Sequence, residues 1–332
     1  MPSTQFSHVY QLRNQGLPVM STIADMAREV RLSVEMLRFL TYRTDYLYKV
    51  FDIDKKGTSS KRTICQPSRK LKAIQGWILR RILDNLRSSE FSKGFEKGQS
   101  ILDNAVPHVG ANFLLNIDLK DFFPSIHASK VYGVFSSLGY NKEISSILTN
   151  LCTYNNKLPQ GAPTSPKLAN LICARLDARI QGYAGSKGII YTRYADDLTF
   201  SAQTLKKIVK TKFFIQTIIP TEDLSINKNK TVFCGPKRQK KVTGLVISHD
   251  RTGIGREKLR EVRSKIHKIF TGEHDNTLHV QGVLSFIYSV DKRNYKKLIL
   301  YVEKLEKKHG KTEVIIFKKI KNDLSTSIEQ NM

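Results

Sequence analysis

The sequence predicts an α+β protein in which a small antiparallel sheet carries acidic residues and helices pack around it. Three observations lead there. An apolar run, Phe113-Leu-Leu-Asn-Ile-Asp118, ends on an acid. Two more strand-like runs, Ile189-Ile-Tyr-Thr-Arg-Tyr194 and Leu198-Thr-Phe-Ser201, flank the adjacent carboxylates Asp196 and Asp197. Towards the C-terminus, apolar residues recur at helical spacing while basic residues fill the adjoining face.

The acid-bearing strands come first. The runs on either side of Asp196-Asp197 are rich in β-branched and aromatic residues and alternate, so they read as a hairpin with the acids at its turn. A sheet that sets the Asp118 strand beside this hairpin gathers three carboxylates. Mg²⁺ is small and hard and takes oxygen ligands from one or two carboxylates, phosphates and water. Two such ions about 4 Å apart can activate an attacking hydroxyl and stabilise a leaving oxygen in phosphoryl transfer. By itself an Asp-Asp pair also describes a solvated turn.

A third segment, Leu158-Pro-Gln-Gly-Ala-Pro-Thr-Ser-Pro166, reads as a loop opening a helix. Ser165 is expected as N-cap and Pro166 at the first helical position, where its missing N–H is not needed. Leu168, Leu171, Ile172 and Leu176 follow at helical spacing. Gln160 and Gly161 could place an amide and a closely approaching backbone against a nucleotide.

In this order, Asp118, Gln160-Gly161 and Tyr194-Ala-Asp-Asp197 resemble the successive palm motifs of reverse transcriptases. Lys61-Arg-Thr-Ile64 with Pro67 resembles the fingers motif that holds the triphosphate. Phe91-Ser-Lys-Gly-Phe95 with Gln99-Ser100 resembles the next one, and Leu224-Ser-Ile-Asn-Lys-Asn-Lys230-Thr231 the palm segment whose Lys lies near the phosphates. Two further stretches narrow the resemblance to bacterial retron reverse transcriptases: Asn104-Ala-Val-Pro-His108 and Val242-Thr-Gly244. The stretch after Gly244 is expected to hold a thumb without an added maturase or endonuclease segment, and no RNase H domain is expected.

Bulk properties agree. A formal net charge of +26, from 55 Lys plus Arg against 29 Asp plus Glu, points to a polyanionic partner. Apolar runs are too short and interrupted to cross a bilayer, and no signal peptide pattern opens the chain, so a cytoplasmic protein without a membrane partner is expected. Cys65, Cys152, Cys173 and Cys234 lack C-x-x-C spacing and read as buried thiols. Ser21 to Leu40 suggests two short helices with Ser33 capping the second, a helix-turn-helix pattern that also reads as an N-terminal extension packed on the fingers. Leu259, Val262, Ile266 and Ile269 mark a buried stripe beside Arg256, Arg260 and Arg263. Tyr295 to His309 repeats the design with lysines outside, with Gly310 as its stop and a frayed tail from Thr312.

The resemblance implies a right-hand polymerase: N-terminal extension and fingers in 1–101, palm in 102–125, fingers again in 126–163, palm in 164–247, thumb and tail in 248–332. It implies RNA-directed DNA synthesis from dNTPs, with Asp118, Asp196 and Asp197 holding two Mg²⁺. Lys61, Arg62 and Lys230 would contact the triphosphate, and Gln160 and Gly161 would line the nucleotide pocket. Phe123, five residues after Asp118, would exclude a 2′-OH, while Phe122 is expected to be buried. Asn104, His108, Val242, Thr243, Gly244, Arg256, Arg260 and Arg263 would bind RNA. Retron enzymes copy a cognate non-coding RNA from an internal guanosine 2′-OH into branched RNA–DNA (msDNA). Host RNase H removes the copied template, and the complex restrains a co-encoded toxic effector in defence against phage. An intron-type reverse transcriptase and a non-catalytic RNA-binding protein of polymerase fold are the alternatives.

Overall fold

A computed structural model of the chain describes residues 3–54, 61–273 and 276–309, with side chains from Val9 onward. The expected helix stop at Gly310 and the tail beyond it lie outside the described residues. The chain divides into two compact units, one of Met1–Pro107 with Ala111–Arg238, the other of His108–Gly110 with Gln239–Met332.

The first unit opens with helices α1 (Ser3–Asn14), α2 (Ile23–Val30) and α3 (Val34–Tyr42). Thr22 and Asp25 close a capping box at the start of α2, and Ser33 caps α3 by accepting the Met36 N–H at 3.2 Å. Ile23, Met26, Ala27, Leu37 and Leu40 are buried in the core of this unit. The pair therefore packs as an extension, since its apolar faces are spent on the fold.

An exposed antiparallel ribbon follows, β1 (Tyr48–Asp54) on β2 (Lys61–Pro67), then α4 (Arg69–Arg81) and the one-turn α5 (Ile101–Ala105). Next come β3 (Phe113–Leu119), α6 (Ala128–Ser137), α7 (Lys142–Cys152), α8 (Ser165–Ile172) and α9 (Ala174–Gly185). The unit closes with β4 (Ile190–Tyr194), β5 (Asp197–Ala202), α10 (Leu205–Ile218) and β6 (Ile226–Cys234). α8 differs from expectation at its start. Ser165 is itself helical and Thr164 holds the cap position without a side-chain bond, because the Ser165 hydroxyl donates instead to the Pro159 carbonyl at 2.7 Å.

Four strands form one antiparallel sheet in the order β4-β5-β3-β6. β3 is central and buries Leu114, Leu115, Ile117 and Leu119, which is why its sequence reads as a continuous apolar run. Each such side chain contributes about 1.5–3 kcal/mol on burial. α10 packs on β3 and β5 through Ile208, Ile215 and Ile218, and α9 packs on β4. The register between β3 and β6 breaks between Asn116, opposite Val232, and Asp118, opposite Asn227. Residues 228–231 of β6 thus face the single residue Ile117, and a bulge of this kind re-aims side chains.

The second unit carries a small sheet, β7 (Lys240–Val242), β8 (Leu245–Ile247) and β9 (Thr252–Gly253), followed by α11 (Gly255–Phe270), α12 (Thr277–Val290) and α13 (Lys292–His309). Val262, Ile266, Leu284, Ile287, Leu298, Ile299, Val302 and Leu305 are buried among the three helices. Leu259 and Ile269 sit half-buried at the margin of the stripe. Asp291 ties the parts together by accepting the N–H groups of Ile254 and Asn294, each at 3.0 Å. The expected boundary at 247/248 falls inside this unit, whose main stretch begins at Gln239.

Candidate active site

The acids meet where β3, β5 and the β4–β5 turn converge. Asp118 lies directly across from Asp197 in the β3–β5 ladder, and Tyr194 pairs with Asp197, leaving Ala195 and Asp196 as a two-residue loop. Such a tight loop needs a positive φ at its first position, and Ala195 adopts +56°. The Asp196 carbonyl accepts the Leu119 N–H at 2.9 Å, which fastens the turn to β3. Gly94 lets a neighbouring loop come close: a Cβ there would lie 2.9 Å from the Ala195 nitrogen and 3.1 Å from the Tyr194 ring.

Asp118 is buried, and both its oxygens are engaged. Asn227 Nδ2 donates to Oδ1 and Lys230 Nζ to Oδ2, each at 2.9 Å. The bulge in β6 delivers Lys230 to this position. Its bond to Asp118 raises the Lys230 pKa. Partial burial, with repulsion from Asp118, raises the pKa of Asp196. Asp197 is pushed up to about 6, first by desolvation of its carboxyl and then by Asp196 and Asp118, although the residue keeps surface open to solvent.

Mutually repelling carboxylates are the donor set a hard divalent cation prefers, and a bound cation reverses such shifts. These residues therefore fit the ion in kind. As the side chains stand, no three His, Cys, Asp or Glu among the described residues are arranged closely enough to hold a metal ion. Asp118 is turned to Lys230 and Asn227 instead.

Other expected residues gather in the same unit. Lys61 and Arg62 are exposed at the start of β2, and the Arg62 charge acts on Asp196. The Gln160 carbonyl accepts the Cys65 N–H at 2.9 Å, so the Gln160-Gly161 loop rests on β2. Phe123 is half-buried, its ring 5.4 Å from that of the buried Phe122 and 6.4 Å from that of Phe95.

The residues expected to bind RNA divide sharply. Arg256, Arg260 and Arg263 are exposed on α11, and Arg263 stacks over the Tyr301 ring at 4.4 Å. Thr243 and Gly244 form the two-residue turn between β7 and β8, both at positive φ, with Val242 buried beneath. Asn104 and His108 are each 0% exposed, so neither side chain reaches solvent. Burial also lowers the His108 pKa to about 4, which keeps the ring neutral.

Sequence reading missed Asn227 as a partner of Asp118, and it missed Arg193, which is buried near the end of β4 and paired with Asp177. A signal for Arg193 existed, because a charged residue in strand alternation with Tyr191 faces the interior.

Acids on adjacent strands of a four-stranded antiparallel sheet, with Lys61 and Arg62 on a ribbon and a glycine loop in the same unit, are the arrangement of a nucleic-acid polymerase. Residues 53–247 match the reverse transcriptase (RNA-dependent DNA polymerase) family. The chain is 61% identical over 312 residues to the retron Ec86 reverse transcriptase of Escherichia coli, covering 94% of this chain and 98% of that protein. It is 31% identical over 312 residues to the retron Mx65 reverse transcriptase of Myxococcus xanthus, covering 87% and 73%. Among solved structures, apo telomerase from Candida tropicalis gives a TM-score of 0.47 at 11% identity over 78% of this chain and 58% of that one, a distant likeness. The chain belongs to the retron reverse transcriptases, with their right-hand polymerase fold, and is an RNA-directed DNA polymerase. The family uses divalent metal and dNTPs. Among the described residues, no helix is long and apolar enough to cross a membrane.

Proposed function

We propose that this enzyme copies a cognate non-coding RNA into DNA from the 2′-OH of an internal guanosine, leaving branched RNA–DNA (msDNA), and that it does so in the cytoplasm as part of an anti-phage retron system. The observation that carries the polymerase chemistry is the pairing of Asp118 with Asp197 across β3 and β5, with Asp196 in the adjoining turn. The retron setting rests on relatives bearing that name across nearly the whole chain. Fingers in 1–101 and 126–163, palm in 102–125 and 164–247, and thumb in 248–332 complete the reading.

Asp118, Asp196 and Asp197 would hold two Mg²⁺. When bound, these ions supply charge stabilisation and make the priming hydroxyl more acidic. The chain's own part is to position the reactants. Lys61 and Arg62 would orient the triphosphate, and Lys230 would exchange Asp118 for a phosphate oxygen. Gln160 and Gly161 would line the nucleotide pocket. Phe123, held on Phe122, would close the space a 2′-OH needs. Arg256, Arg260 and Arg263 would contact RNA phosphates, with the Val242 to Gly244 turn nearby in sequence offering a shape-reading edge. Asn104 and His108 would act only through the surfaces they support. Host RNase H would trim the template, and a co-encoded toxic effector would be held in check by the complex.

The test supplies the purified protein with its transcribed RNA and labelled dNTPs. DNA still joined to RNA after protease treatment, and released by a 2′,5′-debranching activity, is the expected product. DNA with a free 5′ end would overturn the priming reading while leaving the polymerase.

A further inference from the structure

The Arg193 guanidinium, at 0% exposure, has its donor nitrogens met entirely by protein acceptors. Its Nε donates to Asp177 Oδ1 at 2.8 Å and its Nη2 to Asp177 Oδ2 at 2.7 Å, a two-pronged pair that only a guanidinium makes. Its Nη1 is shared between Asn170 Oδ1 at 3.0 Å and the Ala195 carbonyl at 3.2 Å. Asp177 is fully buried and also accepts the Tyr191 hydroxyl at 2.7 Å.

Asn170 carries the connection onward. Its Nδ2 donates to the Gly94 carbonyl at 2.7 Å and to Glu96 Oε1 at 2.8 Å, and Glu96 Oε2 receives Lys167 Nζ at 2.6 Å. The Arg193 main chain is joined to the same loop, its N–H donating to the Phe91 carbonyl at 2.8 Å and its carbonyl accepting the Lys93 N–H at 2.7 Å. One residue thereby binds α8, α9, the 91–96 loop and the turn that presents Asp196.

Stability alone does not call for this network. A buried ion pair loses in desolvation much of what it gains in attraction, and apolar residues of similar volume commonly serve stability as well or better. Position is what the network supplies. Asp196 follows Ala195, whose backbone is held at a positive φ, while Asp118, Asp196 and Asp197 repel one another across the turn. Leu119 restrains Asp196 from one side through its carbonyl, and Arg193 restrains the preceding peptide from the other. Without the second restraint, repulsion would let the turn drift outward.

We infer that Arg193, locked by Asp177 and Asn170, is a positioning residue that holds the Ala195–Asp196 peptide in the place divalent-metal binding requires and couples that place to the 91–96 loop. The inference rests on the reading of Asp118, Asp196 and Asp197 as the metal ligands. Outer-shell partners of metal ligands typically change metal affinity by about 10- to 100-fold when removed.

The test uses the full chain with Mn²⁺ as the probe. Binding is followed by electron paramagnetic resonance, and primer extension on an annealed RNA template and DNA primer is titrated with Mg²⁺. The double variant Arg193→Met/Asp177→Leu removes both buried charges with little change in volume, and Asn170→Ala leaves the ion pair and the main-chain bonds of Arg193 but cuts the side-chain link to the loop. In the double variant, Mn²⁺ affinity should fall and the Mg²⁺ midpoint rise, each by about tenfold or more. Thermal melting and primer-template affinity should stay near parent values, as should the dNTP KM at saturating metal. Asn170→Ala should shift in the same direction by a smaller factor, and it decides the matter if the double variant does not fold. Parent-like Mn²⁺ affinity and Mg²⁺ midpoint in a folded variant would overturn the inference. Asp196→Asn is the control: if it too keeps Mn²⁺ affinity, the metal assignment fails, whereas its loss beside unshifted variants condemns the positioning role alone.

Discussion

Replacing Gly161 by Ala is expected to raise the KM for dNTP far more than it lowers overall stability. Gly161 has φ +135°, a backbone angle that side chains rarely adopt, and a Cβ there would lie 2.7 Å from the Cys65 carbonyl oxygen and 3.3 Å from its carbon. Backbone strain of this sort costs about 1–3 kcal/mol. Overpacking against a neighbour that cannot yield costs about 1–3 kcal/mol more. The loop has an escape, because it is joined to β2 at this point by the Cys65 N–H bond to Gln160, worth about 1 kcal/mol net. Lifting off β2 therefore relieves most of the strain and limits the loss of stability to about 1–2 kcal/mol. The rest appears as displacement of Gln160 from the proposed nucleotide pocket. At about 1.4 kcal/mol per tenfold, restoring the loop on nucleotide binding raises KM by roughly 10- to 30-fold. Steady-state primer extension over a dNTP series measures this, with melting curves alongside. Gly182→Ala is the control, since its Cβ would meet nothing within 4 Å in helix α9, and it should leave KM unchanged while gaining up to about 1 kcal/mol in stability. A Gly161→Ala enzyme with KM within twofold of the parent would refute the packing argument.

Asp196→Asn or Asp197→Asn should abolish DNA synthesis while RNA affinity stays nearly intact, measured by primer extension and filter binding, and substantial extension by either would remove it from the metal set. Phe123→Ala should incorporate ribonucleotides more readily while still using dNTPs; unchanged discrimination in a competition assay returns Phe123 to a packing role. Changing Arg256, Arg260 and Arg263 together to Ala should weaken cognate and unrelated structured RNA alike and flatten the salt dependence by roughly one charge unit per lost contact, whereas an unaltered slope would place the phosphates elsewhere. Asp197 has its pKa raised from 3.8 to about 6, so in metal-free protein its contribution to stability is fully present below pH 3.8 and lost as pH rises through 6. Melting of the parent should accordingly fall relative to Asp197→Asn between pH 4 and 7, and parallel curves would contradict the shift.

Much of the site was legible because its strands announce themselves. β3 is apolar throughout since it is buried in the middle of the sheet, and the β4–β5 hairpin needs only two residues between its runs, so the three acids could be placed from spacing. The helical stripes of α11 and α13 were legible for the same reason: burial imposes a period. Resemblance served less well for Asn104 and His108, because a motif identifies residues without saying which way they face, and both proved buried. Ser165 shows a smaller failure of local reasoning. Its hydroxyl had two acceptable partners, and the Pro159 carbonyl, brought close by the loop, took it.

What stayed hidden depends on partners distant in the chain. The bulge that aims Lys230 at Asp118 is a mismatch between β3 and β6, strands separated by more than a hundred residues, and neither strand encodes it alone. Arg193 is the stronger case. Alternation shows that it points inward, yet an inward arginine is tolerable only when its donors are met, and the sequence around it supplies none of the side-chain acceptors. Asp177 and Asn170 come from α9 and α8, and only the packed structure shows that the same fork also reaches the Ala195 carbonyl. A buried charge with its acceptors still to be found is therefore a specific question that a sequence can pose, and here its answer lies one residue from the acids.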